Sequence, residues 1–230
     1  MNKSTLGKFL PLSARFNKDW IRENSFRENE LHNLESLCEI INLKPGMRIL
    51  DTSCEKAVSA IFLAKEFNVK VWAVDSVINP SENLKRIKEM GCEDNVFPMK
   101  LDERQLPFPN EYFDLIISVN TFMNYRTDFE FTSYISNFLK PGGILGIVDL
   151  CSSNENISIS NSENFNPLNI KTDFVHSLEW WKNLWNNVEK VKVKISEIVP
   201  ENEFMKRQYI QEVKNTDRTK LLAKEFINDR

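Results

Sequence analysis

Glycine is scarce in this chain, with six residues among 230, and none falls between Ile49 and Ala64, "ILDTSCEKAVSAIFLA". That stretch has the layout of an apolar strand, a short polar turn and an apolar helix. In α/β proteins such turns are normally glycine-rich, because glycine permits positive φ and lets a ligand approach the backbone. Here Asp51, Ser53, Glu55 and Ala57 occupy the turn instead. Histidine is scarcer still: His32 and His176 are the only two, which excludes a metal site built on several imidazoles. The four cysteines, Cys38, Cys54, Cys92 and Cys151, are scattered without a C-x-x-C pair, so they read as reduced and mostly buried thiols, and no metal is expected. No apolar run approaches the roughly 20 residues needed to span a bilayer, and the N-terminus lacks a sustained apolar signal core. The expected compartment is therefore the cytoplasm, with no membrane partner. Long Lys/Arg runs are also missing, and a net charge of -3 with pI near 5.6 argues against a nucleic-acid partner held by phosphate contacts.

What is present is an ordinary globular composition, 41% hydrophobic and 27% charged, enough for one sizeable core and its appendages. From about Phe16 to Ile41, apolar residues recur at helical intervals and predict one or two helices. "LKPGMRILD" supplies a turn and a buried strand ending at Asp51, and Val58 to Phe67 reads as a helix. "VKVWAVD" is a β-branched strand ending in Asp75. "PSENLKRIKEMGC" is a helix with Pro80 in its first turn and Gly91 at its end. "NVFPMKLD" gives a third strand ending in Asp102, and Phe113 to Val119 a fourth. "FTSYISNFLKPGG" is expected as a helix stopped by Pro-Gly-Gly, before a fifth strand in "ILGIVDL". Strands alternating with helices at this spacing predict a doubly wound, mostly parallel sheet with helices on both faces. Beyond it, "CSSNENISISNSENFNPLN" reads as a lid loop, "SLEWWKNLWNN" as an aromatic amphipathic helix, "VEKVKVKISEIV" as an antiparallel edge strand and "RTKLLAKEFINDR" as a terminal helix. The expected organisation is a helical cap over 1–42, a cofactor-binding-type core over 43–150, and a segment 151–230 completing the same domain.

Taken together, "RILDTSCEKAVSAIFLAKEFNVKVWAVD", "KLDERQLPF", "YFDLIISVN" and "FLKPGGILGIVD" resemble, in order, the motifs of the class I S-adenosylmethionine-dependent methyltransferases. The resemblance runs from about Leu43 to Leu150. It implies a seven-stranded-type, Rossmann-like sheet, S-adenosylmethionine as cofactor, and a cofactor site around Asp51, Ser53, Glu55, Asp75 and Asp102. Asp75 would accept the ribose hydroxyls and Asp102 an adenine amino group. The bare residues allow plainer roles: Asp75 capping the helix after its strand, Asp102 beginning a turn.

The turn departs from the family pattern most at Glu55, which puts an anionic side chain where the resemblance places the central glycine, near the cofactor's carboxylate. Two unit charges about 4 Å apart repel by roughly 4 kcal/mol at an effective dielectric of 20. Relief requires that Glu55 turn outward, pair with Lys56, Arg15 or Arg22, or meet the cofactor's amino group. Alternatively the turn is a plain connection with Thr52 or Ser53 capping the next helix. "VKVWAVDSVINPSENLKRI" and "SLEWWKNLW" further resemble a bacterial subgroup of small methyltransferase-domain proteins; after the fourth strand, "SVNTFMNY" places Asn120 and Met123 where that subgroup carries an acid and a histidine, and neither can act as a general base. Asn120 and Tyr125 remain candidates for orienting a substrate, and Trp180, Trp181 and Trp185 for a packing helix or an aromatic wall. Two functions stay open: a methyltransferase acting on a small molecule, or an inactive methyltransferase-fold protein that has lost cofactor binding and serves as a binding or partner subunit. A nicotinamide dehydrogenase is disfavoured, because its pyrophosphate would tolerate Glu55 no better.

Overall fold

The structure, a computed structural model, describes residues 12–26, 30–122, 129–149, 151, 176–188 and 191–197. A 3-10 turn at Leu12–Arg15 leads into α1 (Lys18–Asn24) and α2 (Glu30–Ile40). The chain then alternates through β1 (Arg48–Thr52), α3 (Val58–Phe67), β2 (Lys70–Asp75), α4 (Pro80–Glu89) and β3 (Val96–Lys100). It continues with β4 (Phe113–Val119), α5 (Phe129–Ser136), β5 (Leu139–Val148) and α6 (Leu178–Asn186). The strands form one sheet in the order β3-β2-β1-β4-β5, and every pairing is parallel. The order reverses between β1 and β4. In an open α/β sheet the crevice at the carboxyl ends of those two strands is where ligands collect.

Side chains alternate between two apolar layers, as strands buried on both faces require. Ile49, Val71, Ala73, Leu115 and Ile117 join the layer made with α2, α3 and Ile87 of α4. Leu50, Val74, Ile116 and Phe131 join the layer made with α5 and Trp181 of α6. α4 begins as its sequence dictates, with the Asn79 side chain accepting from Ser81 N and Pro80 at the first turn. On β3, Pro98 lies opposite Ala73. Val71 N donates to Asn95 O and Leu101 N to Asp75 O. The two-residue alternation of a parallel ladder therefore turns the N–H groups of Phe97 and Met99 toward β2 and position 98 away from it.

Two expectations are corrected. The helix before the fifth strand stops at Ser136, and the Lys140–Gly143 stretch lies inside β5, which starts at Leu139. The register jumps from Phe113↔Leu139 to Leu115↔Ile144, so "KPGG" forms an irregular bulge beside β4 and is not the helix stop. The antiparallel edge strand is not found where expected: the sheet has five strands among the described residues, and residues 191–197 pair with none of them. Val193 N instead donates to Asn186 Oδ1 at 3.2 Å, and Ile195 stands 53% exposed. An alternating pattern without a neighbouring ladder has no buried face to fill. The expected lid loop from 152 and the terminal helix lie outside the described residues.

Candidate functional site

The turn after β1 is built without glycine but with glycine's backbone. Ser53, Glu55 and Ala57 have φ of 52°, 49° and 61°, all in the left-handed region. For L-residues each such conformation costs roughly 1–2 kcal/mol, so the surrounding contacts must hold the turn in place. Those contacts are specific. Asp75, at the end of β2, accepts Glu55 N through Oδ2 at 3.0 Å, while its Oδ1 accepts Val77 N and Ile78 N at 2.7 and 2.8 Å. Asn83, buried on α4, donates to the Glu55 carbonyl at 2.9 Å. Ser53 Oγ donates to Glu103 Oε1 at 3.2 Å.

The helix that follows begins at Ala57 with no side-chain cap of its own. Thr52 does not cap it, because its hydroxyl donates to Ile117 O across to β4. The exposed helix N–H groups are met from α2, where buried Glu30 accepts Ser59 N through Oε1 at 3.3 Å. Asp51 lies under the turn, 1% exposed, and accepts Ser59 Oγ at 2.5 Å. Burial pushes the Asp51 carboxyl up to about 8; the Ser59 hydrogen bond opposes this, and the Glu30, Glu55 and Asp75 carboxylates reinforce it. The Cys54 thiol is raised well above its usual range, by burial first and then by Asp51, Asp75, Glu30 and Glu103, so it is no nucleophile. All four cysteines are free, with Cys54 and Cys92 buried.

Of the residues expected at the site, Asp51, Ser53, Glu55 and Asp75 are brought together at the ends of β1 and β2. Asp102 is not: it is exposed, and its carboxylate accepts Arg104 N at 2.9 Å in a tight turn. The acid facing inward is its neighbour Glu103, 5% exposed. Burial raises the Glu103 carboxyl, against hydrogen bonds from its own backbone and Ser53, with Asp75 and Asp102 adding to the rise. The cations considered for Glu55 have other contacts: Arg15 pairs with Glu66, Arg22 with Asp19, and Lys56 Nζ donates to Glu23 O at 3.0 Å.

Asn120 directly follows β4 with φ of 57°, and its N–H donates to Val148 O at 2.8 Å. Asn33 of α2 donates to Asn120 Oδ1 at 2.7 Å. Met123 and Tyr125 lie outside the described residues. On α6, Trp181 and Trp185 pack edge-on against Phe122, with centroids 6.4 and 6.1 Å away, and Trp180 stacks on His176 at 3.6 Å. These are packing roles between α6 and the sheet. Glu30, Asn33, Asn83 and Glu103 were missed from the sequence. A polar residue in an amphipathic helix or turn reads as solvent-facing, and only the fold turns these four inward.

Chemically, the crevice offers carboxylate oxygens with spare lone pairs toward hydroxyl and amino donors, and one amide at the β4 end.

Residues 49–143 match a family model described as a methyltransferase domain. Phosphoethanolamine N-methyltransferase 1 of Arabidopsis thaliana is 30% identical over 134 residues, 58% of this chain and 27% of the relative. The chain spans roughly a quarter to two fifths of the length of the first curated relatives it matches. Among solved structures, phosphoethanolamine N-methyltransferase 2 of Haemonchus contortus, in complex with phosphomonomethylethanolamine and S-adenosylhomocysteine, aligns with TM-score 0.63 at 20% identity, covering 87% of this chain and 45% of that one. A SAM-dependent methyltransferase from Aquifex aeolicus aligns with TM-score 0.59 at 20% identity, covering 80% and 92%.

Proposed function

We propose that this chain, whose residues 49–143 match a methyltransferase-domain model, is a class I S-adenosylmethionine-dependent methyltransferase that binds its cofactor at the carboxyl ends of β2, β1 and β4 and methylates a small molecule. The observation that carries this reading is the turn itself. Ser53, Glu55 and Ala57 keep the left-handed backbone that glycine would adopt more easily, and Asp75 and Asn83 hold it there. A turn under no functional demand has no reason to retain that shape against its own residues.

The donor set suits the cofactor. Asp75, which accepts three backbone N–H groups, has about one lone pair left, on Oδ2, for a ribose hydroxyl, and Glu103 is buried on the β3 side. In this reading the Glu55 carboxylate meets the amino group of the cofactor. When bound, S-adenosylmethionine supplies an electrophilic methyl on sulfonium. The chain's own part is to hold both reactants in line, and proximity supplies much of the rate without a general base. Phosphoethanolamine belongs in the first acceptor panel, since two relatives carry its name.

One observation favours the second reading, an inactive scaffold serving as a binding subunit. The Ser53–Glu103 hydrogen bond ties the turn after β1 to the segment after β3, so two polar groups at these strand ends already satisfy each other. Calorimetry with S-adenosylmethionine and S-adenosylhomocysteine, on the chain and on Glu55→Gly, separates the two. Micromolar binding by the unaltered chain is expected, with a higher melting temperature for Glu55→Gly as its φ strain is relieved. Binding only after the substitution would favour the inactive scaffold, and binding by neither protein would overturn the cofactor assignment.

A further inference from the structure

The amide of Asn120 is divided between a satisfied and an unsatisfied half. Its Oδ1 accepts Asn33 Nδ2 at 2.7 Å, while its Nδ2 is buried and has no hydrogen-bond partner among the described residues. A buried unmet donor is destabilising, and native structures rarely leave one without a purpose. Its surroundings are fixed. Asn120 N is bonded to Val148 O. Next to it, Ser118 and Thr121 share a hydrogen bond at 3.0 Å, and Thr121 Oγ1 reaches Thr52 O at 3.5 Å, so the β4 end is tied to the β1 end. Asn33, only 9% exposed on α2, locks which way the amide faces.

The position within the sheet tells what the donor meets. Asp75 ends β2, and Asn120 directly follows β4, two strands across through β1. At about 4.8 Å per strand the two ends are separated by roughly 10 Å. A nucleoside whose ribose lies at Asp75 therefore presents, at the β4 end, the arm carried on its 5′ carbon. The only ionised oxygens on the arm of S-adenosylmethionine are those of its carboxylate.

We propose that Asn33 is a positioning residue that holds Asn120 so that the Asn120 Nδ2 group donates to the carboxylate of the bound cofactor. This rests on the cofactor reading above and adds to it a division of labour: acids, including Glu55, on the side of the ammonium, and the amide pair on the side of the carboxylate. The arrangement lets an acidic turn keep a zwitterionic ligand, since each end of the zwitterion meets its complement.

The test compares S-adenosylhomocysteine with 5′-methylthioadenosine, which shares the nucleoside and lacks the amino-acid arm. Asn120→Asp tolerates the left-handed φ and still accepts from Asn33, but replaces the donor with an acceptor. Asn33→Asp removes the lock and, by accepting from Asn120, uses up its donor. Both variants are expected to weaken S-adenosylhomocysteine about tenfold or more, as loss of a hydrogen bond to a charged group does, and to leave 5′-methylthioadenosine within about twofold. The second ligand also reports that each variant is folded. Equal weakening of both ligands, or unchanged S-adenosylhomocysteine affinity, overturns the proposal while the cofactor reading stands. Binding of neither ligand by the unaltered chain removes that reading, and this proposal with it.

Discussion

At the scale of single residues, the chain stores charge and strain where the sequence shows only substitution. Asp51 is the clearest case. Its folded carboxyl titrates near 8 because burial disfavours the ion, against a usual value of 3.8. Between those values the folded state holds a proton that the unfolded chain releases, so this group's contribution is complete below the lower value and is lost as pH rises toward the upper one. Thermal unfolding is therefore expected to show a melting temperature that falls from pH 5 to pH 8, and Asp51→Asn is expected to flatten that slope while keeping an acceptor for Ser59 Oγ. A slope unchanged by Asn would place the titrating group elsewhere. The sequence made the absence of glycine visible here, but not its outcome. Residue identity alone could not tell whether the turn had lost its shape or kept it, because the answer lies in Asp75, Asn83 and Glu30, which come from three other elements.

At the scale of elements, the strands and most helices were legible, because apolar periodicity and caps are local signals. Val58–Phe67 and Phe113–Val119 fall where the pattern places them. β5 was legible only in its second half. "LKPGG" carries the punctuation of a helix end, and only pairing with β4 makes it a strand with a bulge. The bulge has a measurable signature. A Cβ on Gly143 would sit 2.9 Å from Lys140 O and 3.2 Å from Asp114 O, both backbone atoms, whereas one on Gly142 would meet nothing within 4 Å, at φ of 78°. Gly143→Ala is thus expected to lower the urea midpoint by more than Gly142→Ala. The second should cost only the roughly 1–2 kcal/mol of a left-handed alanine. A reversed order would show that the bulge relaxes freely. Asp114 anchors the same corner: Lys140 Nζ lies 2.6 Å from Oδ1, and Arg48 N donates to Oδ2 at 2.8 Å.

At the scale of the whole molecule, the doubly wound sheet could be read from the alternation of strands and helices. The closing of its ligand edge could not. α2 supplies Glu30 to the α3 end and Asn33 to the β4 end, so this helix of the expected N-terminal cap reaches the crevice. No helix among the described residues is long and apolar enough to cross a membrane.

The outer strand of that sheet carries one more consequence. Among the described residues β3 has a partner on one side only, and such a strand is a template on which another polypeptide can grow. Pro98 occupies the middle of β3 at a position turned to the open side, where it offers no N–H. Pro98→Val would restore that donor and add a residue with strong β preference. Light scattering on heating is expected to show faster aggregation for the variant, at an unfolding midpoint close to that of the parent. Equal aggregation would mean that the open strand is shielded by other means. Pro98 thus has a task that no ligand or reaction would reveal: it keeps the molecule from extending its own sheet into a neighbour, so that copies can be crowded together and still remain separate.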